Sequence, residues 1–189
     1  GGVVTTTARI EERMCGLLGI TAQEFNAFCS NGDGKGKNLF DMCFDGDIDT
    51  KTFWKMFSAK SGIDVKTDWW HWLFHPVLNE KTVQIIRKLK ADGHRVVCGT
   101  NTISAHYFNH LERGDYAYFD QTYTSCAMGF SKPDPEFWKI ILTAEEFKAE
   151  DAVFIDDKSE NCEAAQKLGI RAIQFTMAEE VAAALGVKL

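Results

Sequence analysis

The stretch Ala152-Val153-Phe154-Ile155-Asp156-Asp157-Lys158-Ser159-Glu160-Asn161-Cys162-Glu163 decides the fold. An apolar run, Val153 to Ile155, stops at two adjacent carboxylates, Asp156 and Asp157. A helical pattern follows through Cys162, Ala165 and Leu168 and closes at Gly169. A short apolar run between polar segments is the pattern of a parallel strand buried on both faces. Ligands of open parallel sheets bind beyond the carboxyl ends of the strands, so both carboxylates aim at the working edge. Two like charges side by side repel unless a cation lies between them, and hard carboxylate oxygens suit Mg²⁺. The competing reading is that one of the two caps the helix that follows.

Outward from this stretch, strand and helix patterns alternate from Pro76 to the end of the chain. The helical stripe of Val83, Ile86 and Leu89 ends near Gly93. A short strand at 95–99 leads to Thr100-Asn101, with a helix over 104–112 and a strand over 118–124. The loop 131–135 comes next, then a helix over 136–147 with Pro135 as its first residue. A last strand, 172–175, and a last helix, 178–185, complete the pattern. Such alternation predicts an α/β fold with a parallel sheet. Residues 8–75 read as helical throughout. Helices are expected over 8–18, over 21–29 with Thr21 and Glu24 as a capping box, over 39–44, and over 51–58 with Asp49 or Thr50 as cap. The aromatic-rich stretch 64–76 is expected to pack internally, with one ring of Trp54, Trp69, Trp70 and Trp72 reaching a pocket. The predicted organisation is a core domain of 1–7 and 76–189, with a small all-helical domain, 8–75, inserted near the start.

With 189 residues and a formal charge of −6, the chain is no general nucleic-acid binder. No apolar run reaches membrane-spanning length and no signal-peptide pattern opens the chain. Six scattered cysteines without a C-x-x-C pair suit reduced, buried thiols and a cytoplasmic setting. A monomer or homodimer is expected.

Two metal-like patterns fail on inspection. Asp45-Gly46-Asp47-Ile48-Asp49-Thr50 imitates a calcium loop, but Thr50 stands where the turn glycine belongs and Met56 where the bidentate glutamate belongs. His71 with His75, and His106 with His110, have helical i, i+4 spacing for zinc, but neither pair shows a third ligand or a nearby acid in the sequence.

Three strand ends carry the chemistry. Thr100 and Asn101 offer donors to a phosphate, Lys132 a point positive charge, and Asp156-Asp157 a seat for Mg²⁺, which neutralises phosphate oxygens. Each element alone is weak; the set in this order is specific. Gly99-Thr100-Asn101, Ser131-Lys132-Pro133-Asp134-Pro135-Glu136-Phe137 and Phe154-Ile155-Asp156-Asp157-Lys158-Ser159-Glu160-Asn161 resemble the second, third and fourth motifs of the haloacid dehalogenase (HAD) superfamily. Within it the chain looks most like the sugar-phosphate phosphatases of subfamily I.

The resemblance implies a Rossmann-like core with a helical cap and hydrolysis of a small phosphorylated metabolite through an aspartyl-phosphate. It implies that Thr100, Asn101 and Lys132 bind the phosphoryl group and that Asp157 and Asp156 hold Mg²⁺, with Asp157 the direct ligand. It also implies that the backbone carbonyl of Gly1 faces the metal and that Asn161 orients the site. The first motif departs from the pattern. Gly1-Gly2-Val3-Val4 matches only its tail, so the nucleophilic aspartate and the first, central strand are expected just before Gly1. The alternative is a catalytically inactive binding or regulatory protein that keeps the phosphate and metal pocket. A phospho-receiver reading fits less well, because its acid pair comes early in the chain rather than last.

Overall fold

The capping box of the sequence closes the second helix. Thr21 Oγ1 accepts the Glu24 N–H (3.2 Å) and Glu24 Oε2 accepts the Thr21 N–H (2.8 Å). In the computed structural model, which describes residues 1–6 and 10–189, five helices occupy the first part of the chain. They are α1 (Glu11–Leu18), α2 (Ala22–Cys29), α3 (Leu39–Phe44), α4 (Thr50–Ser61) and α5 (Trp69–Trp72). Ala8, where a helix was expected to begin, lies outside the described residues. Met14, Phe25, Leu39, Phe53 and Phe57 are buried together, and the rings of Phe25 and Phe57 stand 5.1 Å apart. Aromatic pairs in this geometry add to the burial of apolar surface.

Only one helical turn forms in the aromatic-rich stretch. Asp68 caps it and also ties it down: Trp54 Nε1 donates to Asp68 Oδ1 (2.9 Å) and Thr50 Oγ1 to Asp68 Oδ2 (2.8 Å). Trp70 is buried, whereas Trp72 stands out at 64% exposure.

The alternating part runs α6 (Glu80–Ala91), β1 (Val97–Thr100), α7 (Ser104–Glu112), β2 (Gln121–Thr124), α8 (Ser125–Met128), α9 (Pro135–Glu145), β3 (Val153–Asp156), α10 (Ser159–Lys167), β4 (Arg171–Gln174) and α11 (Ala178–Leu185). The strand expected from residue 118 begins at Gln121. Gly114, at φ +74°, ends α7 and leads into a 3₁₀ turn over Asp115–Tyr118. The strands are parallel, as the alternation requires. β1 pairs with β2, Val97 opposite Gln121 through Thr100 opposite Thr124. β3 pairs with β4, Val153 opposite Arg171 through Asp156 opposite Gln174. Helices cover both faces: Ile155 packs with Val181 and Ala182 of α11, and its neighbour Phe154 with Trp138 of α9. That switch of side at successive residues is the strand period of two.

Among the described residues the four strands form two separate pairs rather than one sheet. Between them lies a cavity of about 730 Å³, lined by all four residues of β1, all four of β3, and apolar side chains such as Ile85, Val181 and Phe137. Gly1 stands at its border. All six cysteines are free thiols, and burial pushes Cys29 and Cys43 up to about 12. No described helix is long and apolar enough to cross a membrane.

Candidate active site

The ends of β1 and β3 and the loop before α9 meet at a second cavity, of about 640 Å³. Gly1, Thr100, Asn101, Lys132, Asp156, Asp157 and Asn161 all line it, so the structure brings the residues singled out in the sequence for phosphate and metal to one place.

Lys132 is held from several sides. Its Nζ donates to Asp156 Oδ2 (2.7 Å) and to the Gly99 carbonyl at the end of β1 (3.1 Å). Its backbone is clamped by Asn101, whose Nδ2 donates to Lys132 O (2.8 Å) and whose Oδ1 accepts the Lys132 N–H (2.8 Å). The Asn101 amide is thus engaged with main chain. Thr100 Oγ1 makes one long bond, to Asn101 O at 3.3 Å.

The two adjacent aspartates differ sharply. Asp156 is buried and accepts from Lys132, from the Lys158 N–H (3.0 Å) and from Asn161 Nδ2 (2.9 Å). Burial alone would raise its carboxyl, but the Lys132 charge and these hydrogen bonds outweigh burial and hold it below the ordinary carboxylate range. Asp157 is exposed, and its carboxylate faces the backbone of Gly2 so closely that a Cβ there would stand 2.2 Å from Asp157 Oδ2. Gly2 has φ +87°, a conformation that favours glycine. A carboxylate aimed at a bare stretch of main chain offers hard oxygen donors of the kind Mg²⁺ takes, with coordination left for water and phosphate. Among the described residues no group of three or more His, Cys, Asp or Glu could hold a metal alone.

The other metal-like patterns resolve into structural contacts. Lys37 Nζ sits between Asp45 (2.8 Å) and Asp47 (2.6 Å), and Asp49 caps α4 through the Thr52 N–H (2.7 Å). Contrary to the sequence reading, both histidine pairs do have an acid at hand. Glu112 lies 3.3 Å from His71 Nε2 and Asp115 lies 2.8 Å from His110 Nδ1. Asp115 comes from the 3₁₀ turn just after His110, whereas Glu112 comes from α7, far along the chain from His71. His106 stacks on Phe74 at 3.8 Å, and burial, with His110 next, pushes it down to about 3.

The tryptophans expected to reach the pocket do not line it. The helical segment contributes Asp41, Phe44 and Asp45 instead, and the loop before Lys132 adds Phe130. In α3, Leu39, Met42 and Cys43 are buried and Phe40 and Phe44 pack against the same core, so Asp41 is the one polar position of an otherwise apolar helix, a pattern readable in the sequence.

Comparison with known proteins bears on the family and the fold. The family model described as haloacid dehalogenase-like hydrolase matches residues 64–175. The sesquiterpene phosphatase astK of Aspergillus oryzae is 35% identical over 98 residues, covering 51% of this chain and 50% of that protein. The GMP/IMP nucleotidase YrfG of Escherichia coli is 33% identical over 96 residues, 50% of this chain and 43% of that protein. The chain thus spans half or less of the length of these curated relatives. Among solved structures, the HAD family enzyme BT-2542 of Bacteroides thetaiotaomicron has a TM-score of 0.79 at 24% identity, covering 98% of this chain and 94% of that one. Its complex with magnesium and inorganic phosphate has a TM-score of 0.76 at 23% identity, covering 93% and 90%. At this identity the likeness is one of fold.

Proposed function

The chain belongs to the haloacid dehalogenase-like hydrolases, and from that membership we propose that it works as a Mg²⁺-dependent phosphatase of a small phosphorylated metabolite. The observation that carries the reading is the convergence of Thr100, Lys132 and Asp157 on one cavity bordered by Gly1. The names of two relatives, a sesquiterpene phosphatase and a GMP/IMP nucleotidase, support the reaction class, and a neighbour of the same fold holds magnesium and phosphate.

Asp157, with main-chain oxygens of Gly1 and Gly2 and with Asp156 behind it, is the set that would hold Mg²⁺. The ion, when bound, supplies charge that offsets the negative phosphoryl oxygens. The Thr100 hydroxyl donates to a phosphoryl oxygen. Lys132, fixed by Asp156 and Gly99, presents a preorganised positive charge where negative charge develops, at no reorganisation cost during the reaction. Asn101 positions the Lys132 loop through its two main-chain bonds, and Asn161 orients Asp156.

The nucleophile is proposed to be an aspartate whose strand would fill the gap between β1 and β3. Its carboxylate oxygen bonds to phosphorus as the bond from phosphorus to the ester oxygen breaks, and the departing alkoxide takes its proton from water. Water then cleaves the acyl phosphate and regenerates the carboxylate.

Hydrolysis of p-nitrophenyl phosphate by the natural protein tests the reading. Turnover should need Mg²⁺ and stop with a chelator. Asp157→Ala should abolish the Mg²⁺-dependent rate, and Lys132→Ala should cost about a hundredfold or more, with circular dichroism confirming folded variants. Undiminished turnover by Asp157→Ala, or a loss below about tenfold for Lys132→Ala, rejects these assignments.

A further inference from the structure

The active cavity is lined by more than the proposed phosphate-binding residues. Helix α3 turns Leu39, Met42 and Cys43 into the helical core and brings Asp41, the half-buried Phe44, which also packs against that core, and the capping residue Asp45 to the cavity. Phe130, 38% exposed, lines the same cavity from the loop before Lys132, next to Ser131, which donates to Asp45.

The carboxylates of the cavity are not equally free. Asp156 is engaged by Lys132 and Asn161. Asp134 caps α9 through the Glu136 N–H (2.9 Å). Asp45 accepts from Ser131 Oγ (2.7 Å) and pairs with Lys37 (2.8 Å), whose charge is shared with Asp47. Asp157 is taken up by the metal role. Asp41 makes only local contacts with Asn38: its Oδ2 accepts from Asn38 Nδ2 (2.6 Å) and its N–H donates to Asn38 Oδ1 (2.9 Å). An ionised carboxylate has about four lone-pair sites, so Asp41 keeps acceptor capacity open. One lysine against Asp45 and Asp47, plus Asp41, leaves this side of the cavity negative.

Resting on the phosphatase reading, we infer that Asp41, Phe44 and Phe130 select the leaving alcohol. It is an uncharged alcohol that presents a hydrogen-bond donor to Asp41 and an apolar face to the two rings. Esters with a second anionic group at that end are rejected, because like charges at short range cost affinity. The competing view makes Asp41 only a favourable acid in the first turn of α3.

A matched pair of substrates separates the two. Glycerol 3-phosphate and 3-phosphoglycerate differ by a hydroxymethyl group against a carboxylate. The natural protein should prefer the first by about tenfold or more in kcat/KM. Asp41→Asn should shrink that ratio at least about threefold, and Asp41→Lys should invert it. The ratio of two substrates on one sample cancels any loss of folded protein. An absent preference, or a preference that survives both substitutions, overturns the inference while leaving phosphatase activity intact. Failure of the unsubstituted protein on phenyl phosphate, which needs no distal contact, overturns the phosphatase reading itself.

Discussion

Asp156 and Asp157 are neighbours in the chain and opposites in environment. The first is 6% exposed at its side chain and faces a lysine that is 9% exposed; the second opens to the cavity and to Gly2. The sequence shows the acid pair but not this division, which depends on the side from which Lys132 arrives. Breaking a buried pair leaves an uncompensated charge, so Asp156→Asn should destabilise the fold by about 3 kcal/mol near neutral pH. The pH dependence has a definite sign. Although burial opposes it, Lys132 and three hydrogen bonds hold the Asp156 carboxyl below its ordinary value of 3.8. The pair therefore contributes fully above the unfolded carboxyl's pKa and is lost as pH falls through the lower folded one. Denaturant unfolding of both proteins at pH 7 and near pH 2 should show the difference between them narrowing in acid. An equal difference at both pH values would show that the Asp156 charge contributes nothing.

At the level of elements, most of the helical segment was legible because its signals are local. The Thr21–Glu24 box and the Asp49 cap need only neighbours in sequence. The docking of the turn after α3 was not legible, since it depends on residues far along the chain. Gly46, at φ +74°, lies so close to α8 that a Cβ would stand 2.1 Å from the Cys126 carbonyl oxygen. Gly62 has the same φ of +74° at the end of α4, with nothing within 4 Å of such a Cβ. Gly62→Ala should therefore cost about 1 kcal/mol, the conformational term alone. Gly46→Ala adds a clash with rigid backbone and should cost about 2 kcal/mol or more. Equal losses in thermal or denaturant unfolding would mean that the turn yields freely and does not fix the helical segment against α8.

For the molecule as a whole, alternation of strand and helix gave the layered architecture, while the break in the sheet is a property of pairing that no single stretch displays. β1 and β3 each pair on one edge, and their other edges face the same 730 Å³ cavity. Unpaired main-chain groups on two facing strands, walled by apolar side chains, are costly to leave without partners. A parallel strand placed between them would satisfy both edges at once and join the four strands into one sheet, and this is the place proposed for the nucleophile. Amide hydrogen exchange on the natural protein reads this directly. The amides of β1 and β3 not used in the β1–β2 and β3–β4 pairs should exchange as slowly as those that are, with protection approaching that of the global unfolding reaction. Rapid exchange confined to those edge amides would show the gap open to water, and would remove the place proposed for the nucleophile.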